Sequence, residues 1–488
     1  MNPSSLLRAA GLARVAALLA AGAPVAAAQQ TLTLKQAIEM AQRQGLQSRV
    51  SQSAHESALA RNRVFAAGYK PQLSIAGAAP SYTRSIIPVT QPDGSTLYRP
   101  LEQTDASLVA TVTQPIPWTN TNLSLTSGLS QVQRTGTGGV RSWSSAPFSI
   151  SISQPIFRAN QRGWDLREQD LRLESSERRY LESREDVAIG ATNAFFDVYS
   201  ARATLKNAEA NLTVNDTLFK INAGRFEVGK IGENDLLQSE LAVLRARAAL
   251  DGAKLAYDRA LAQFRLVVGL SPEAPVEITV TSDVPAFEPD PALAVEQARN
   301  TSAMADADAA DIRADRSVSE ARWNTGPGGT INASYGYNAT GPTAGDVYKN
   351  LLDAERFSVS VQLPILQWGA HSASVEAAKA DRVSARSNSE LTRATIAQNA
   401  QFAALQLTQA RRGLAIAAKA DTVAAKRFAV AYDRYGIGKI TVDNLYIAQS
   451  EKDQALQAFV QALRSFWSAY HQLRKLTLYD FELGRPIR

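Results

Sequence analysis

Arg225-Phe226-Glu227-Val228-Gly229-Lys230-Ile231, followed by Asp235-Leu236, recurs 209 residues later as Arg434-Tyr435-Gly436-Ile437-Gly438-Lys439-Ile440, followed by Asn444-Leu445. Gln154-Pro155-Ile156 recurs as Leu363-Pro364-Ile365 at the same offset. Self-similarity at one constant, long spacing marks a duplicated structural unit whose copies have kept register. Upstream, Gln36-Ala37 matches Gln297-Ala298 at an offset of 261, so the first copy carries about 50 additional residues.

Working outward from these turns, the chain reads as helix. Residues 158–222 and 368–432 contain no Pro. In the first, Ala191, Val198, Leu205, Leu212 and Phe219 form a row at seven-residue spacing; in the second, Ala403, Ala410, Ala417 and Ala424 lie beside Ala400, Leu407 and Leu414. Heptads of this kind belong to helices packed side by side as coiled coils. At 1.5 Å per residue, 65 helical residues reach roughly 100 Å, a rod or tunnel dimension. After each Gly-containing turn a return helix is expected, over residues 233–270 and 442–478, with Leu237, Leu241, Leu244, Ala248 and Leu255 as the seam of the first. Gly229 and Gly438 suit turns that need φ above zero.

Between the helices the period changes to two. Phe148, Ile150, Ile152 and Ile156 alternate with Ser149, Ser151 and Ser153; Ile331, Ala333, Tyr335 and Tyr337 with Asn332, Ser334 and Gly336; Phe357, Val359, Val361, Leu363 and Ile365 with Ser358, Ser360 and Gln362. Leu108, Ala110 and Val112, then Leu123, Leu125 and Leu129, repeat the pattern, and Leu73 and Ile75 begin a weaker example. Such alternation predicts strands with one apolar and one polar face, near the 9 to 11 residues or so that cross a bilayer. Pro155 and Pro364 are expected at strand-to-helix junctions, because Pro cannot donate to a sheet ladder. The additional residues of the first copy fit a second hairpin, residues 120–145, preceded by its own Gln114-Pro115-Ile116.

Composition narrows the setting. Arg8 and Arg14, the apolar run 15–23 and Ala26-Ala27-Ala28 read as a secretory signal peptide, placing the mature start near Gln29. No later stretch has the roughly 20 uncharged apolar residues of a spanning helix, so any crossing of a membrane must be by strands. Cysteine is absent, which excludes disulfides, thiolate metal sites, a thiol nucleophile and a lipidated N-terminal Cys. The formal charge of +6 is dispersed in mixed runs such as Glu177-Arg178-Arg179, the pattern of a solvated helical face and no sign of a nucleic-acid partner.

The organisation read from these signals is a signal peptide (1–28), a first repeat (29–270) with about four strands over 71–157, a linker (271–290), a second repeat (291–478) with strands over 329–366, and a tail (479–488). Four to six strands cannot close a barrel within one chain, and an open sheet edge is not viable in lipid. Oligomerisation is therefore required if the strands span. A soluble strand domain on a periplasmic coiled-coil protein is the competing reading.

The signal peptide, Leu32-Thr33-Leu34-Lys35-Gln36-Ala37, Ser153-Gln154-Pro155-Ile156 and the duplicated Arg-aromatic-x-x-Gly turns followed by Asp/Asn-Leu resemble the TolC-like outer-membrane efflux protein family. The resemblance covers nearly all of the mature chain. It implies a mainly α fold with transmembrane β: long antiparallel coiled-coil helices forming a periplasmic α-barrel, and strands contributed to a shared outer-membrane β-barrel. It also implies a homotrimer, in contact with outer-membrane lipid, that docks a periplasmic adaptor and serves an inner-membrane efflux transporter or ABC exporter as a passive exit duct. With all six strands in the barrel, a trimer would have about 18, against the family's usual 12.

Carried over by the resemblance, Asp235 stands at the family's tip aspartate and Tyr435 at the tyrosine that latches it in the closed state. A phenol to carboxylate bond is charge-assisted and readily exchanged for solvent. This sequence departs from the family's best-known member in having Ile440 in place of an arginine, and Asn444 and Ile447 in place of constriction aspartates. Asp443 is the remaining candidate for a three-fold carboxylate ring. Arg225, Gly229, Lys230, Arg434, Gly438 and Lys439 are candidates for the tip surface that an adaptor grips.

Trp118, Trp143 and Trp368 flank strand ends, where an interfacial aromatic belt would place them; Trp467 reads as seam packing. Chemistry has little to stand on: His55, His371 and His471 lack metal-ligand spacing, and Gly136-Thr137-Gly138-Gly139 and Gly326-Pro327-Gly328-Gly329 are placed as loops, not phosphate cradles. No cofactor, metal or enzymatic activity is expected.

Overall fold

The computed structural model describes residues 30–135, 139–280 and 284–487. The expected signal peptide and its end at Gln29 lie outside the described residues, as do positions 136–138 of the first Gly-rich loop and 281–283 of the linker.

In chain order the elements are β1 (Gln30–Leu32), α1 (Leu34–Gln44), α2 (Leu46–Gly68), β2 (Gln72–Thr90), β3 (Thr96–Ile116), β4 (Thr121–Thr135), β5 (Arg141–Ile156), α3 (Gln161–Glu227), α4 (Glu233–Val268), β6 (Val276–Ile278), α5 (Pro291–Gln297), α6 (Ser302–Asn324), β7 (Gly328–Gly341), β8 (Leu352–Gln362), α7 (Ala370–Gly436), α8 (Val442–Thr477), β9 (Tyr479–Asp480) and β10 (Arg485–Pro486). The duplication is visible in the lengths: α3 and α7 have 67 residues each, α4 and α8 36 each.

Local chemistry sets the element ends. Thr33 and Gln36 form a capping box at α1: the Thr33 hydroxyl accepts from the Gln36 amide, and the Gln36 side chain accepts from the Thr33 amide at 2.9 Å. In the second copy α5 starts differently, with Asp290 accepting from the Ala292 amide at 2.9 Å and Pro291 in the first turn. Both long helices end in one motif. The Gly229 amide donates to the Phe226 carbonyl and the Lys230 amide to that of Arg225; Gly438 to Tyr435 and Lys439 to Arg434 repeat this pair, all at 2.8–2.9 Å. The motif needs a left-handed residue, and Gly229 (φ 68) and Gly438 (φ 74) supply it.

The six long strands form one antiparallel sheet in the order β2-β3-β4-β5-β7-β8. Residues 120–145, the expected additional hairpin, supply β4 and the start of β5 inside that sheet. Partners across the strands share a face. One row runs Leu73, Val112, Leu125, Ile150, Tyr335, Glu355, and the next runs Ser74, Thr111, Thr126, Ser149, Gly336, Ala354. A further row is Gln72, Thr113, Ser124, Ser151, Ser334, Arg356. In these rows the alternation sorts into one apolar and one hydroxyl-rich face, with charge only at β8; farther from the helix junctions Arg84, Glu102, Asp105 and Arg134 add charge on β2, β3 and β4.

Two expectations need correction. Strand pairing in the second copy stops at Gln362, so Pro364 lies beyond β8 in an extended connection; Trp368 (φ 50) and Gly369 (φ 83) then turn the chain into α7. Pro155, by contrast, is still inside β5, opposite Thr330. The ring removes the one N–H that would prolong each ladder. The second correction concerns α4. Its inward face is Ser239, Val243, Ala246 and Ala253, whereas Leu237, Leu241, Leu244 and Leu255 are 45–63% exposed. Small residues allow α4 to approach its neighbours closely, which leaves the leucine row outward.

Packing divides the chain into two units. The first comprises residues up to Ala54, Arg179–Thr301 and Ile396 onward. Its core joins α1, α3, α4, α7 and α8 through Phe195, Phe196, Val198, Phe264, Leu407, Leu463, Phe466 and Leu473, with Trp467 packed against it as expected. Within the linker, β6 pairs in parallel with β1, Leu32 opposite Ile278. The second unit, His55–Arg178 with Ser302–Thr395, holds the sheet. There α6 is tied by Arg313 to Glu168 at 3.0 Å and Arg316 to Asp165 at 2.7 Å on α3, and by Asp308 and Asp311 to Arg393 on α7, both at 2.7 Å.

Candidate functional site

The two helical turns and the helix ends beside them bring most of the sequence-derived candidates together. Leu218 of α3, Tyr435 of α7 and Leu445 of α8 form a small buried core, flanked by Val214, Phe428, Ile440, Val442 and Tyr446. The turns are duplicated but not equivalent. Phe226 is 39% exposed, while Tyr435, its counterpart, is 5% exposed. The difference follows from the phenol, which reaches a polar partner inside.

That partner is not Asp235. The Tyr435 hydroxyl donates to Asn222 Oδ1 at 2.9 Å, Asn222 Nδ2 donates to Ser239 Oγ at 3.2 Å, and Ser239 Oγ donates to the Asp235 backbone carbonyl at 2.7 Å. Asp235 enters this chain only through its backbone; its carboxylate sits in the first turn of α4, where the helix dipole favours an anion. The expected charge-assisted bond is replaced by a neutral relay linking the ends of α7, α3 and α4. Burial explains the choice, since Asn222 is 2% exposed and a neutral amide is taken out of water at far lower cost than a carboxylate. The Arg225 guanidinium lies over the Tyr435 ring at 5.4 Å, a cation–π contact that covers the relay.

The other candidates are peripheral. Asp443 is exposed in the first turn of α8 and accepts from Gln238 Nε2 at 2.8 Å, tying α8 to α4. Asn444 donates to its neighbour Thr441 at 3.0 Å. Ile447 is half exposed, while Ile440 packs on the tip core. Lys230, Arg434 and Lys439 are exposed around the turns. Burial, with Tyr435 and Asp443 nearby, pushes the Tyr446 phenol up to about 12, so it stays neutral.

At the sheet, Trp118 (77% exposed) lies in the turn between β3 and β4, and Trp368 (88% exposed) at the exit from β8, both on the side of the helix junctions. Trp143 lies near the opposite end, opposite Gly341. The three tryptophans thus stand at both ends of the sheet.

Sequence reasoning missed Asn222 and Ser239. Their signal was polarity at seam positions: Asn215 and Asn222 continue the seven-residue spacing from Ala208, and all three are buried. It also missed an ionic group in the first unit. Glu185 accepts from His471 Nδ1 at 2.9 Å and pairs with Arg474 at 3.1 Å, and Arg474 also pairs with Asp480. Burial pushes Glu185 up, but the His471 hydrogen bond and the Arg474 charge outweigh it and hold the carboxyl below its ordinary range. Among the described residues no helix is long and apolar enough to cross a membrane, and no acidic, His or Cys cluster is arranged to hold a metal.

Several solved structures share this fold at low sequence identity. The Campylobacter jejuni CmeC outer membrane channel matches with a TM-score of 0.66 at 15% identity, covering 93% of this chain and 87% of that one. The Vibrio cholerae outer membrane protein VceC matches with a TM-score of 0.63 at 15% identity, covering 93% and 97%. Among curated proteins, Protein CyaE of Bordetella pertussis is 27% identical over 158 residues, which is 32% of this chain and 33% of CyaE. The match thus spans about a third of that relative's length. The model of the family described as outer membrane efflux protein matches residues 101–270 and 293–477, both copies of the repeat. With that match over most of its length, the chain belongs to the outer membrane efflux protein family and is an outer-membrane protein with a large periplasmic part.

Proposed function

We propose that the chain is one protomer of a homotrimeric exit duct, in which strands from three copies share one lipid-embedded barrel and the long helices form a periplasmic tunnel. In this reading a periplasmic adaptor docks at the helical turns, and an inner-membrane efflux transporter or ABC exporter supplies both cargo and energy. The protein itself is a passive conduit and performs no catalysis.

The observation that carries the reading is the sheet: six strands, one apolar face, one hydroxyl-rich face and two unpaired edges. An open sheet of this kind is one part of a barrel in lipid, and other copies must supply the rest. The outward apolar rows support it. Leu237, Leu241, Leu244 and Leu255 on α4, and Phe402, Ile416, Val423 and Val430 on α7, are exposed in the single chain at coiled-coil spacing.

Membrane fractionation tests this reading. A heat-resistant oligomer in the outer-membrane fraction, and loss of export or of efflux resistance on deletion, are the expected results. A soluble periplasmic monomer would sink the proposal and favour a structural coiled-coil protein.

A further inference from the structure

Within the six-stranded sheet, β2 and β8 each leave one edge unpaired. Backbone N–H and C=O groups on such an edge cannot remain without partners in lipid. All five pairings are antiparallel, so β2 and β8 run in opposite senses. Setting β8 of one copy beside β2 of the next therefore continues the alternation around a ring.

The edges are open only where this contact would fall. Residues 72–78 of β2 and 357–362 of β8 contain neither Pro nor a charge. Farther along, Pro80 lies at the β2 bulge between Ala78 and Ser81, and Pro88 stands in the outer part of the strand opposite Tyr98. Pro100 stands on β3 opposite Ile86, where the β2–β3 hairpin has passed the last β4 partner, Thr135 opposite Glu102. Edge prolines block strand addition, so the projecting hairpin is protected and the inner segment is not.

Stagger supplies an independent check. The row that begins at Gln72 reaches β8 at Arg356, six residues before the strand ends at Gln362. Six strand spacings of about 4.8 Å per copy, the junction included, against six residues of about 3.3 Å set the helix-side ends of both edges side by side when the strands tilt by about 35°. Closed barrels have tilts of about 35–45°.

We infer that all six strands of each copy enter the barrel, and that it closes through residues 72–77 of one copy paired with 357–362 of the next. With the ends level, Leu73 faces Val361, Ile75 faces Val359 and Gly77 faces Phe357 on the apolar side, while Ser74 faces Ser360 on the polar side. Leu73, Ile75, Phe357, Val359 and Val361, all at least half exposed in the single chain, then form one lipid-facing band. This rests on the reading that three copies share a barrel. Eighteen strands at that tilt give a backbone diameter of about 34 Å, against about 23 Å for twelve, so the outer-membrane section takes wider cargo.

The chain has no Cys, so introduced pairs report without background. The full-length double variant Ser74→Cys with Ser360→Cys, oxidised in isolated outer membranes, is expected to give covalent dimers and trimers on denaturing gels. Ser74→Cys with Val359→Cys, on opposite faces, is expected to give none. The rival arrangement leaves β2 and β3 outside the barrel and pairs β8 with β4. Cross-linking of Ser360→Cys with Ser124→Cys, in place of the Ser74 pair, would establish that arrangement and overturn the junction. No cross-link from either pair in a heat-resistant oligomer also overturns it. A wild-type chain that forms no outer-membrane oligomer refutes the proposed function itself.

Discussion

Removing one oxygen, by Tyr435→Phe, tests whether the neutral relay holds the helical turns together. The hydroxyl donates to Asn222 Oδ1 at 2.9 Å inside a site where Tyr435 is 5% and Asn222 2% exposed. A hydrogen bond of this kind contributes about 1 kcal/mol net, and an acceptor left buried without its donor costs about 1–3 kcal/mol. Asn222 Nδ2 keeps its bond to Ser239 while Oδ1 loses its donor, and the change comes to about 2 kcal/mol per chain in all. If the closed tip has this bond and the open tip does not, the closed-to-open ratio falls about 30-fold per chain. Single-channel recording in planar bilayers should show raised closed-state conductance for Tyr435→Phe and for Asn222→Ala. The double variant should add little to Asn222→Ala, which already removes the Tyr435 contact together with the bond to Ser239. Asp235→Asn discriminates between the two chemistries: it should leave conductance near wild type, since only the Asp235 backbone joins the relay. Wild-type closed-state conductance in Tyr435→Phe, or an Asp235→Asn effect as large as that of Tyr435→Phe, would refute the reasoning.

Three further outcomes follow from the packing. Glu185 is held below its ordinary range when folded, so its contribution is present above about pH 4 and is lost as pH falls through the lower folded value. Glu185→Gln should cost about 2–4 kcal/mol near neutral pH, with Asp480 still beside Arg474, and should flatten the acid limb of melting temperature against pH; an unchanged acid limb would contradict this. Gly229→Ala and Gly438→Ala meet no steric neighbour, so each should lose only the left-handed backbone term, about 1 kcal/mol by thermal melt, and equal stability would show that the turns relax to another geometry. Leu244→Glu, at a position 54% exposed in the single chain, should leave the protomer folded by circular dichroism but abolish the oligomer in native electrophoresis; an intact oligomer would place the leucine row away from the interface.

The seven-residue and two-residue periods specified the helices and strands because each depends on neighbours in sequence. The constant offset of 209 carried the duplication, and equal helix lengths of 67 and 36 residues repeat it. Legibility ended where two apolar rows competed for one interior. On α4 the leucines looked like the seam, yet Ser239, Val243, Ala246 and Ala253 face inward. Periodicity reports that a face is apolar, not which partner covers it, and a helix that packs within its chain and against another copy carries two such faces.

What the sequence by itself determined is therefore local and periodic: two repeats, long helices with Gly-capped turns, strands with one apolar face, and the absence of any thiol chemistry. Tertiary structure alone decided which residues meet. It gave Tyr435 to Asn222 and not to Asp235, joined Glu185 to His471 across 286 positions, paired the linker with β1, and ordered the six strands with β2 and β8 at the edges. The reason is that a hydrogen bond in a buried site is chosen by desolvation and reach in three dimensions. Asn222 and Asp235 stand on either side of one turn, and only their burial distinguishes the amide that can be enclosed from the carboxylate that stays near water.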